Sequence, residues 1–275
     1  MFKRVLVTGG SGKVGKWTIA DLQAHGYTVI NADRRKADYI QTMDVDLCDM
    51  GHVYAAMTGV DAIVHLAAIP SPGGHPPEVV FHTNVMSTFN VLQAASTLGI
   101  KKVVIASSLS ALGLAYSFRP INLKYFPIDE AHPLLAQDAY GLSKIAGEDL
   151  ADGFARRDPA LSVTSLRFTL ILSPDELENA LPNWQQREKS SASVLWTYID
   201  ARDVARCIRL CLEAESPGHR AFYVNAPNTF MQKPTLELLH AYYPEVPYDP
   251  ARLDACMAPI DCTAVRAFLG FQPEY

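Results

Sequence analysis

Several features that mark other classes of protein are missing from this sequence of 275 residues. No apolar run approaches the ~20 residues that a membrane-spanning helix needs, and the apolar stretch near the N-terminus is too short for a secretory signal peptide. Lys and Arg form no cluster and the formal net charge is −5, which argues against nucleic acid and membranes as partners. A small molecule is the expected partner.

Cysteine is also scarce. The 5 cysteines include no Cys-x-x-Cys pair and no Cys/His cluster, so we expect neither a disulfide framework nor a metal site. Cys207 and Cys211 share a helix face, but no second pair of ligands accompanies them, and a buried apolar role is favoured over metal binding. An odd number of thiols without a pairing pattern indicates a reducing compartment, and we predict a cytoplasmic protein.

The sequence does contain an alternation of short β runs and longer helical patterns. The predicted strands are Arg4–Thr8, Tyr27–Asn31, Ala62–Leu66, Lys102–Ala106, Ser162–Arg167 and Ala221–Val224. The predicted helices are Lys13–His25, one around Val53–Met57, Pro77–Leu98, and one from Tyr140 to about Arg157 with Asp138 as its cap. This alternation predicts an α/β fold with a Rossmann-type doubly wound parallel sheet. In such a sheet, ligands bind at the carboxyl ends of the strands.

We predict a single body spanning residues 1–275. Residues 1–172 together with about 198–226 would form the Rossmann core. The segments at about 173–197 and 227–275 are rich in Pro, aromatic and polar residues. They are predicted to form a small C-terminal lobe that binds substrate over the ligand edge of the sheet.

The first β run ends in a glycine-rich turn, Thr8-Gly-Gly-Ser-Gly-Lys-Val-Gly15. Gly10, Gly12 and Gly15 match the pattern G-x-G-x-x-G. Gly9 supplies the related pattern T-G-x-x-G-x-x-G. Glycine is needed here because the turn requires unusual φ/ψ angles and because a Cβ would keep a pyrophosphate away from the helix N-terminus. Placed between a strand and an amphipathic helix, the motif predicts a dinucleotide site.

An acidic residue should follow the second strand of such a site, and Asp33 occupies that position. Its carboxylate would accept the ribose hydroxyls of NAD and repel the phosphate of NADP. Arg34 and Arg35 follow directly, and arginine can pair with a 2′-phosphate or stack on adenine. NAD is favoured over NADP because the acidic side chain holds the deciding position. The alternative interpretation is that Asp33 only caps a turn.

A candidate acid/base pair lies in the predicted fourth helix. Tyr140 and Lys144 are four residues apart, so they share a helix face. A nearby ammonium favours the phenolate of a tyrosine, whose ordinary pKa of about 10 is too high for a base at neutral pH. The preceding strand ends in Ser107 and Ser108, and a serine there can hydrogen-bond a substrate oxygen. Taken alone, such a pair is typical of a solvated helix surface; its position after this strand favours catalysis.

These motifs belong to an ordered set. In chain order they are Thr8-Gly-x-x-Gly-x-x-Gly15, Asp46-Leu47, His65-Leu-Ala-Ala68, Asn84, Ala106-Ser-Ser108, Tyr140-x-x-x-Lys144, Leu166-Arg-Phe168, Tyr198-Ile-Asp200, Arg202-Asp-Val204 and Leu269-Gly-Phe-x-Pro273. The set spans nearly the whole chain. It resembles the extended branch of the short-chain dehydrogenase/reductases, the NAD-dependent epimerase/dehydratase family.

The resemblance implies roles for individual residues. Tyr140 would be the acid/base, Lys144 its partner, Ser108 the active-site serine, and Asn84 would steady the lysine. Asp46 would meet the adenine. The implied cofactor-binding residues are Gly9, Gly12, Lys13, Val14, Gly15, Asp33, Arg34, Asp46, Leu47, Leu66, Ala67, Ala68, Ser107, Tyr140, Lys144 and Phe168. The candidate substrate contacts are Ile69, Ser108, Leu109, Ser110, Thr169 and Trp196.

The family runs alcohol oxidation, epimerisation and dehydration, each beginning with hydride transfer. Its dehydratases resemble one another in an acidic pair after the active-site serine, which this chain lacks. Its nucleotide-sugar epimerases have longer C-terminal lobes. We therefore expect an NAD-dependent oxidoreductase that moves a hydride between nicotinamide and an alcohol or carbonyl carbon of a small sugar, polyol or related molecule. The alternatives are a nucleotide-sugar epimerase and, less favoured, a non-catalytic NAD(P)-binding sensor, since sensors lose the Tyr/Lys pair.

The chain is also similar to uronate dehydrogenases in size and in Leu166-Arg-Phe-Thr169 followed by a proline loop. It departs from them in having Leu109 and Ser110 where they have Asn and His. It also has the acidic stretch 174–178 where they place an arginine for the substrate carboxylate. Leu109, Tyr116 and Trp196 indicate either an apolar pocket or the core of the lobe, and the sequence does not decide between these.

Two further expectations concern structure. His65, at the end of the third predicted strand, is interpreted as a structural histidine. The family resemblance implies a homodimer in which the helices Pro77–Leu98 and Ala139–Arg157 pack as a four-helix bundle.

Overall fold

A computed structural model describes residues 3–179 and 181–275 of the chain. Met1, Phe2 and Ala180 lie outside the described residues.

Parallel strands form the centre of the molecule. Within the described residues the strands are β1 (Arg4–Thr8), β2 (Thr28–Asp33), β3 (Thr42–Asp44), β4 (Ala62–His65), β5 (Lys102–Ser108), β6 (Ser162–Phe168), β7 (Leu170–Leu172), β8 (Tyr198–Asp200) and β9 (Gly218–Val224). The main sheet has the order β3-β2-β1-β4-β5-β6-β9, and all its neighbours pair in parallel. The chain winds outward from β1 in one direction and from β4 in the other. The predicted α/β class and doubly wound sheet are confirmed, and the switch in strand order lies between β1 and β4.

Helices cover both faces of this sheet. Within the described residues they are α1 (Lys13–Ala24), α2 (Met50–Met57), α3 (Pro77–Leu98), α4 (Ala139–Arg157), α5 (Pro174–Asn179), α6 (Leu181–Gln185), α7 (Glu188–Ser191), α8 (Ala201–Glu213), α9 (Thr235–Tyr242) and α10 (Thr263–Leu269). None of these helices is both long enough and apolar enough to cross a membrane.

Local capping residues explain where several helices begin and end. The Asp138 side chain accepts hydrogen bonds from the backbone N–H groups of Tyr140 and Gly141, so the predicted cap of α4 is confirmed. Asp49 caps α2 in the same way, which is why that helix starts before the predicted Val53. Gly99 ends α3 with a φ of 75°, a left-handed conformation that glycine adopts without strain.

The sequence prediction missed the short strands β3, β7 and β8. Each contains three residues, too few to show the alternation by which a strand is recognised. The predicted strand Tyr27–Asn31 is also displaced, because β2 runs on to Asp33.

Two apolar clusters lie on opposite faces of the main sheet. One contains Leu92 of α3 and Phe154 of α4. The other contains Ile19 of α1 and Ile208 of α8. Burial on both faces accounts for the Val- and Ile-rich strands between them.

A third cluster forms the core of the lobe and includes Phe126, Trp196 and Leu238. Phe126 comes from the predicted Rossmann core 1–172, so part of that range packs with the lobe. Conversely, Val265 and Phe271 come from the predicted lobe segment 227–275. They pack in the cluster between the main sheet and helices α1 and α8. The division into core and lobe stays a prediction, with boundaries that this packing shifts.

Candidate active site

The glycine-rich turn joins β1 to α1 at the carboxyl edge of the sheet. Gly9 has a φ of 71°, and a Cβ there would stand 2.6 Å from the backbone nitrogen of Ala67. A Cβ on Gly15 would stand 2.4 Å from the Cα of Gly10. The turn therefore tolerates no side chain at Gly9 or Gly15 without a shift of the backbone.

Gly12 is different, because its missing side chain faces nearly open space. A Cβ on Gly12 would meet only the Gly9 carbonyl oxygen, at 3.2 Å, and the Arg35 guanidinium, at 3.8 Å. α1 begins directly after Gly12 with no side-chain cap and no acidic residue in its first turn. A helix N-terminus that no side chain caps, next to a glycine that leaves room for approach, fits the pyrophosphate of a dinucleotide.

Lys13, the first residue of α1, links this turn to the segment after β7. Its Nζ lies 2.7 Å from a carboxylate oxygen of Glu176 and donates to the carbonyl oxygen of Ile171 at 3.2 Å. Glu176 in turn accepts the backbone N–H of Ser173 at 2.8 Å. The acidic segment after β7 therefore lies beside the glycine turn. Sequence reasoning missed this link, and Lys13 as a cofactor contact stays a prediction.

Asp33 stands at the end of β2, as the dinucleotide motif requires. One carboxylate oxygen accepts the backbone N–H of Ser11 at 3.1 Å, and the other accepts that of Arg35 at 2.9 Å. Arg34 lies 3.5 Å from the carboxylate of Asp46 and is largely exposed. Asp33 thus binds the backbone of Arg35, whereas Asp46 lies beside the side chain of Arg34. The structure also shows Asp33 organising the turn, the alternative role weighed for it above.

The end of β4 lies next to this turn. The Leu66 N–H donates to the Thr8 carbonyl oxygen at 3.1 Å, which places Ala67 and Ala68 beside the glycines. Leu47 and Val14, by contrast, pack in or against the apolar clusters. Their predicted cofactor contacts remain predictions.

His65 hydrogen-bonds two side chains of neighbouring elements. Its Nδ1 lies 2.8 Å from Thr8 Oγ1 and its Nε2 lies 3.2 Å from Thr88 Oγ1. Complete burial lowers the pKa of His65 to about 3, and the Lys144 ammonium adds to this shift. His65 is therefore a neutral residue that joins β1, β4 and α3, which confirms its structural interpretation.

The predicted acid/base pair and the serine come together where β5 ends. Lys144 Nζ lies 5.5 Å from the centroid of the Tyr140 ring. The same Nζ donates to the carbonyl oxygen of Ala106 at 2.7 Å. Ser108, two residues further along β5, hydrogen-bonds the Tyr140 phenol and favours its ionised form. The three side chains can therefore act on one substrate oxygen.

The titration of this pair differs from the sequence expectation. Burial raises the pKa of Tyr140 to about 12, and the hydrogen bond from Ser108 only partly offsets this. Burial lowers the pKa of Lys144 to about 8, against the opposing effect of the Glu148 carboxylate. The sequence led us to expect that the Lys144 ammonium would favour the Tyr140 phenolate, but burial of the phenol outweighs the lowering contributions and the pKa of Tyr140 is raised.

Asn84, on α3, makes three hydrogen bonds that do not involve Lys144. Its Oδ1 accepts the Ile69 N–H at 2.8 Å, and its Nδ2 donates to the Ile69 carbonyl oxygen at 3.1 Å. Nδ2 also lies 3.1 Å from Ser143 Oγ. Asn84 thus fixes the loop after β4 against α4 at the residue before the lysine. The predicted substrate contact Ile69 is held here through its backbone.

The sequence profile described as the NAD-dependent epimerase/dehydratase family matches residues 5–224. That range takes in the glycine turn, the serine and the Tyr/Lys pair, and it covers most of the chain. This chain belongs to that family. The resemblance drawn from the motifs is confirmed.

Proteins similar in sequence to this chain include sugar dehydrogenases. The L-arabinose 1-dehydrogenase (NAD(P)(+)) of Haloferax volcanii is 29% identical over 219 residues, which are 78% of this chain and 84% of that protein. The uronate dehydrogenase of Pseudomonas syringae pv. tomato is 26% identical over 227 residues, covering 81% of this chain and 74% of that protein.

Solved structures with the same fold cover nearly the whole chain. A short-chain dehydrogenase/reductase superfamily protein from Agrobacterium tumefaciens, solved with bound NAD, has a TM-score of 0.73 at 24% identity and covers 99% of this chain and 93% of its own. The UDP-glucose 4-epimerase of Thermotoga maritima has a TM-score of 0.74 at 22% identity, covering 98% and 94%. At these identities the structures establish the shared fold.

Within this family architecture, sequence reasoning missed a buried ion pair beside Lys144. Arg167 of β6 donates to both carboxylate oxygens of Glu148 on α4, at 3.0 and 2.7 Å. Ser107 Oγ donates to the same carboxylate at 2.6 Å. Ser107 was predicted to bind the cofactor, and that contact stays a prediction, since the structure shows only that its hydroxyl is directed at Glu148. Arg167 belongs to the Leu166-Arg-Phe168 motif, and Glu148 lies four residues after Lys144. No pattern in the sequence indicates that these two side chains pair.

The residues predicted to face substrate lie around Ser108. Ser110 donates its backbone N–H to Ser108 Oγ at 3.0 Å. Phe168 pairs with Ser108 across β5 and β6, so Thr169 follows at the same edge. The Thr169 hydroxyl is buried with no hydrogen-bond partner among the described residues. A substrate hydroxyl is the natural partner for such a group.

Two apolar candidates belong to the lobe core. Trp196 is fully buried against Tyr242 and Tyr243, and its Nε1 donates to the Glu188 carbonyl oxygen at 2.8 Å. The prediction that Trp196 contacts substrate was wrong, because the ring packs inside the lobe. Leu109 is also buried in that cluster.

Tyr116 is the aromatic residue that does reach the site. Its ring meets that of Tyr140 edge to face, with centroids 6.4 Å apart, and the side chain is 40% exposed. It lies in the long segment between the residues after β5 and α4. The Gln137 side chain fastens that segment by accepting the backbone N–H groups of Phe118 and Arg119, at 3.1 and 3.0 Å. Tyr116 therefore forms an open aromatic wall beside the phenol.

Metal ligation has no candidate in the part of the chain that the structure describes, where no group of three His, Cys, Asp or Glu side chains converges. Cys207 and Cys211 are buried among apolar residues of α8 and its neighbours. Their apolar role is confirmed.

Proposed function

We propose that this protein is an NAD-dependent dehydrogenase that oxidises a small neutral sugar at an alcohol carbon. The observation that carries the proposal is the convergence of Ser108, Tyr140 and Lys144 at the carboxyl end of β5, next to an uncapped glycine turn. The names of two relatives, an L-arabinose 1-dehydrogenase (NAD(P)(+)) and a uronate dehydrogenase, support a sugar as the substrate class.

The protein's own groups have separate roles in this reaction. Tyr140, once ionised, accepts the proton of the substrate hydroxyl while Ser108 donates a hydrogen bond to the same oxygen. Lys144 stabilises the phenolate through its positive charge. The glycine turn would hold the pyrophosphate and Asp33 the adenosine ribose. NAD, when bound, supplies the hydride acceptor.

The surroundings of Ser108 favour a neutral substrate over an acid or a phosphate. The neighbouring residues that we propose as substrate contacts are Ser110, Tyr116 and Thr169, all uncharged. The segment that would supply an arginine in a uronate dehydrogenase instead carries Glu176, which pairs with Lys13. An aromatic wall such as Tyr116 packs well against the C–H face of a sugar ring.

Turnover assays with free sugars test the substrate class. Matched sets of aldoses, uronic acids and sugar phosphates are offered with NAD and, separately, with NADP, and NADH or NADPH formation is followed by absorbance. We expect turnover with neutral aldoses and NAD. Turnover confined to uronic acids or phosphates would contradict the neutral-substrate proposal, and a preference for NADP would contradict the role of Asp33.

A nucleotide-sugar epimerase is the second candidate, favoured by the shared fold of the UDP-glucose 4-epimerase. Such an enzyme recycles its NAD, so it interconverts UDP-sugars without net NADH. Chromatography of UDP-glucose after incubation with the protein distinguishes the two reactions.

We further propose that the protein forms a homodimer in the cytoplasm. α3 and α4 pack side by side and leave Phe81 and Leu142 about two-fifths exposed, at 40% and 41%. The five free cysteines support a reducing compartment. Light scattering should give a dimer mass that Phe81→Glu reduces to a monomer, whereas Phe118→Glu, at an exposed position outside both helices, leaves the mass unchanged.

A further inference from the structure

We propose that Glu148, held in place by Arg167, is a positioning residue that sets the charge of Lys144 and the alignment of Ser108. The inference rests on the proposed dehydrogenase function, since it assigns a role beside the same acid/base pair. It adds to the Ser/Tyr/Lys set a buried carboxylate.

The first argument is the attachment of α4 to β5. Lys144 and Glu148 are one turn apart on the same face of α4. Lys144 Nζ binds the Ala106 carbonyl oxygen, and the Glu148 carboxylate binds Ser107 Oγ. Two successive residues of β5 are therefore tied to two successive turns of α4, and Ser108 is the next residue along. A displacement of the Glu148 carboxylate would be transmitted to Ser108.

The second argument is the way in which Glu148 itself is held. Arg167 grips both of its oxygens, and the two side chains are only 7% and 8% exposed. Arg167 pairs with Ser107 across β5 and β6, and its guanidinium lies over the ring of Tyr223 at 5.1 Å from the centroid. These contacts fix the carboxylate in one position.

The third argument is the shared cavity. Lys144 and Glu148 both line a cavity of about 10 Å³ between α3, α4 and β5. The other titratable groups near the ammonium are Tyr140, neutral at pH 7, His65, also neutral, and Arg167. Glu148 is therefore the anion that acts on the ammonium, and it raises the pKa of Lys144 against the lowering effect of burial. In surroundings that exclude water, such an interaction is much stronger than at the surface.

A buried ion pair contributes little net stability compared with apolar residues of the same volume. The Glu148–Arg167 pair lies between Lys144 and β5, the strand that ends in Ser108. Its role is therefore to position these groups rather than to stabilise the fold.

The pH dependence of kcat/KM tests the proposal. In the wild type we expect kcat/KM to rise up to about pH 8 and then to level off, because above that pH each further gain in Tyr140 phenolate is offset by loss of the Lys144 ammonium. Glu148→Gln removes the anion, so Lys144 deprotonates at lower pH, and the pH at which the profile levels off should move down by ~1 pH unit. Asp149→Asn is the matched control: it removes the same charge from the neighbouring, exposed position of α4 and should leave the profile unchanged. A profile of folded Glu148→Gln that levels off at the same pH as the wild type overturns the proposal.

Two further variants test the proposal if Glu148→Gln alone does not fold. Glu148→Gln combined with Arg167→Gln leaves no unpaired buried charge, and the same shift is expected from it. Ser107→Ala keeps the ion pair intact but breaks the link to β5. We expect it to lower kcat several-fold with little change in melting temperature, and a wild-type kcat would overturn the positioning role.

A readout without turnover separates this inference from the proposed function. Carbon nuclear magnetic resonance of the lysine Cε atoms, assigned with Lys144→Arg, gives the titration of Lys144 directly. If wild-type protein oxidises no sugar but Glu148→Gln still lowers the Lys144 pKa, the substrate assignment fails and the role of Glu148 in setting the lysine charge stands. If the Lys144 pKa is the same in both proteins, that role fails whatever the substrate.

Discussion

Two clusters of polar side chains in this molecule have the spacing of catalytic machinery. One is Ser108 with Tyr140 and Lys144. In the other, the Ser165 hydroxyl lies 2.9 Å from His219 Nε2, and His219 Nδ1 lies 2.8 Å from an Asp152 carboxylate oxygen. On distances alone, the second cluster would pass for the serine–histidine–aspartate set of a hydrolase.

The two clusters differ in their position along their strands. Ser108 is the last residue of β5, at the edge where ligands bind. Ser165 is in the middle of β6 and fully buried, so no substrate can reach its hydroxyl. The same kinds of side chain therefore support chemistry at the strand end and only packing in the strand interior.

The largest expected effect separates the clusters directly. Tyr140→Phe removes the proton acceptor and should lower kcat by ~10²-fold or more, while the dissociation constant of NADH, measured by fluorescence, changes little. The control is Tyr116→Phe, which keeps the aromatic wall and should retain most of the activity. Unchanged rates in Tyr140→Phe would remove the difference between the two clusters.

The second effect concerns His65, the buried histidine near Lys144. The pKa of His65 is about 3 in the folded protein against an ordinary 6.5. Between these two pH values the histidine binds a proton in the unfolded chain but not in the folded protein. Stability should therefore fall as pH drops from about 6.5 towards 3, by at most ~5 kcal/mol from this group. Urea unfolding of wild type and His65→Gln across this range measures the effect: the variant's deficit at pH 7 should shrink in acid, whereas exposed His82→Gln should follow the wild type.

The smallest effect belongs to the cluster of Ser165, His219 and Asp152. Ser165→Ala should leave kcat unchanged and lower the free energy of unfolding by about 1 kcal/mol, because His219 loses one hydrogen bond. Hydrolysis of an activated ester should stay at the buffer rate in both wild type and variant. A serine-dependent esterase activity would show that the strand interior is accessible after all.

The sequence predicted those parts of the site that lie close together along the chain. Gly9 to Gly15 form one turn, and Tyr140 and Lys144 share one helix turn, so a short motif contains the whole geometry. The alternation of strands and helices was enough for the sheet, because its central strands β1, β4 and β6 are buried on both faces.

The parts that could not be predicted join distant segments. Lys13 and Glu176 are 163 positions apart, and Glu148 meets a strand through Arg167, 19 positions away. Neither pair leaves a local pattern. The prediction that Trp196 contacts substrate was wrong for another reason. A large aromatic residue is equally suited to a pocket wall and to a core, and only its packing against Tyr242 and Tyr243 shows that it belongs to the core.

Tyr116 and the segment that carries it are built separately from the acid/base pair. Tyr140 and Lys144 stand on a helix anchored in the sheet, whereas Tyr116 is half-open to solvent in a segment clipped by the Gln137 side chain. Residues 116–120 are exposed and can therefore be exchanged or lengthened without disturbing the core. An ancestral or engineered chain can acquire a new sugar preference there while its hydride chemistry is inherited intact.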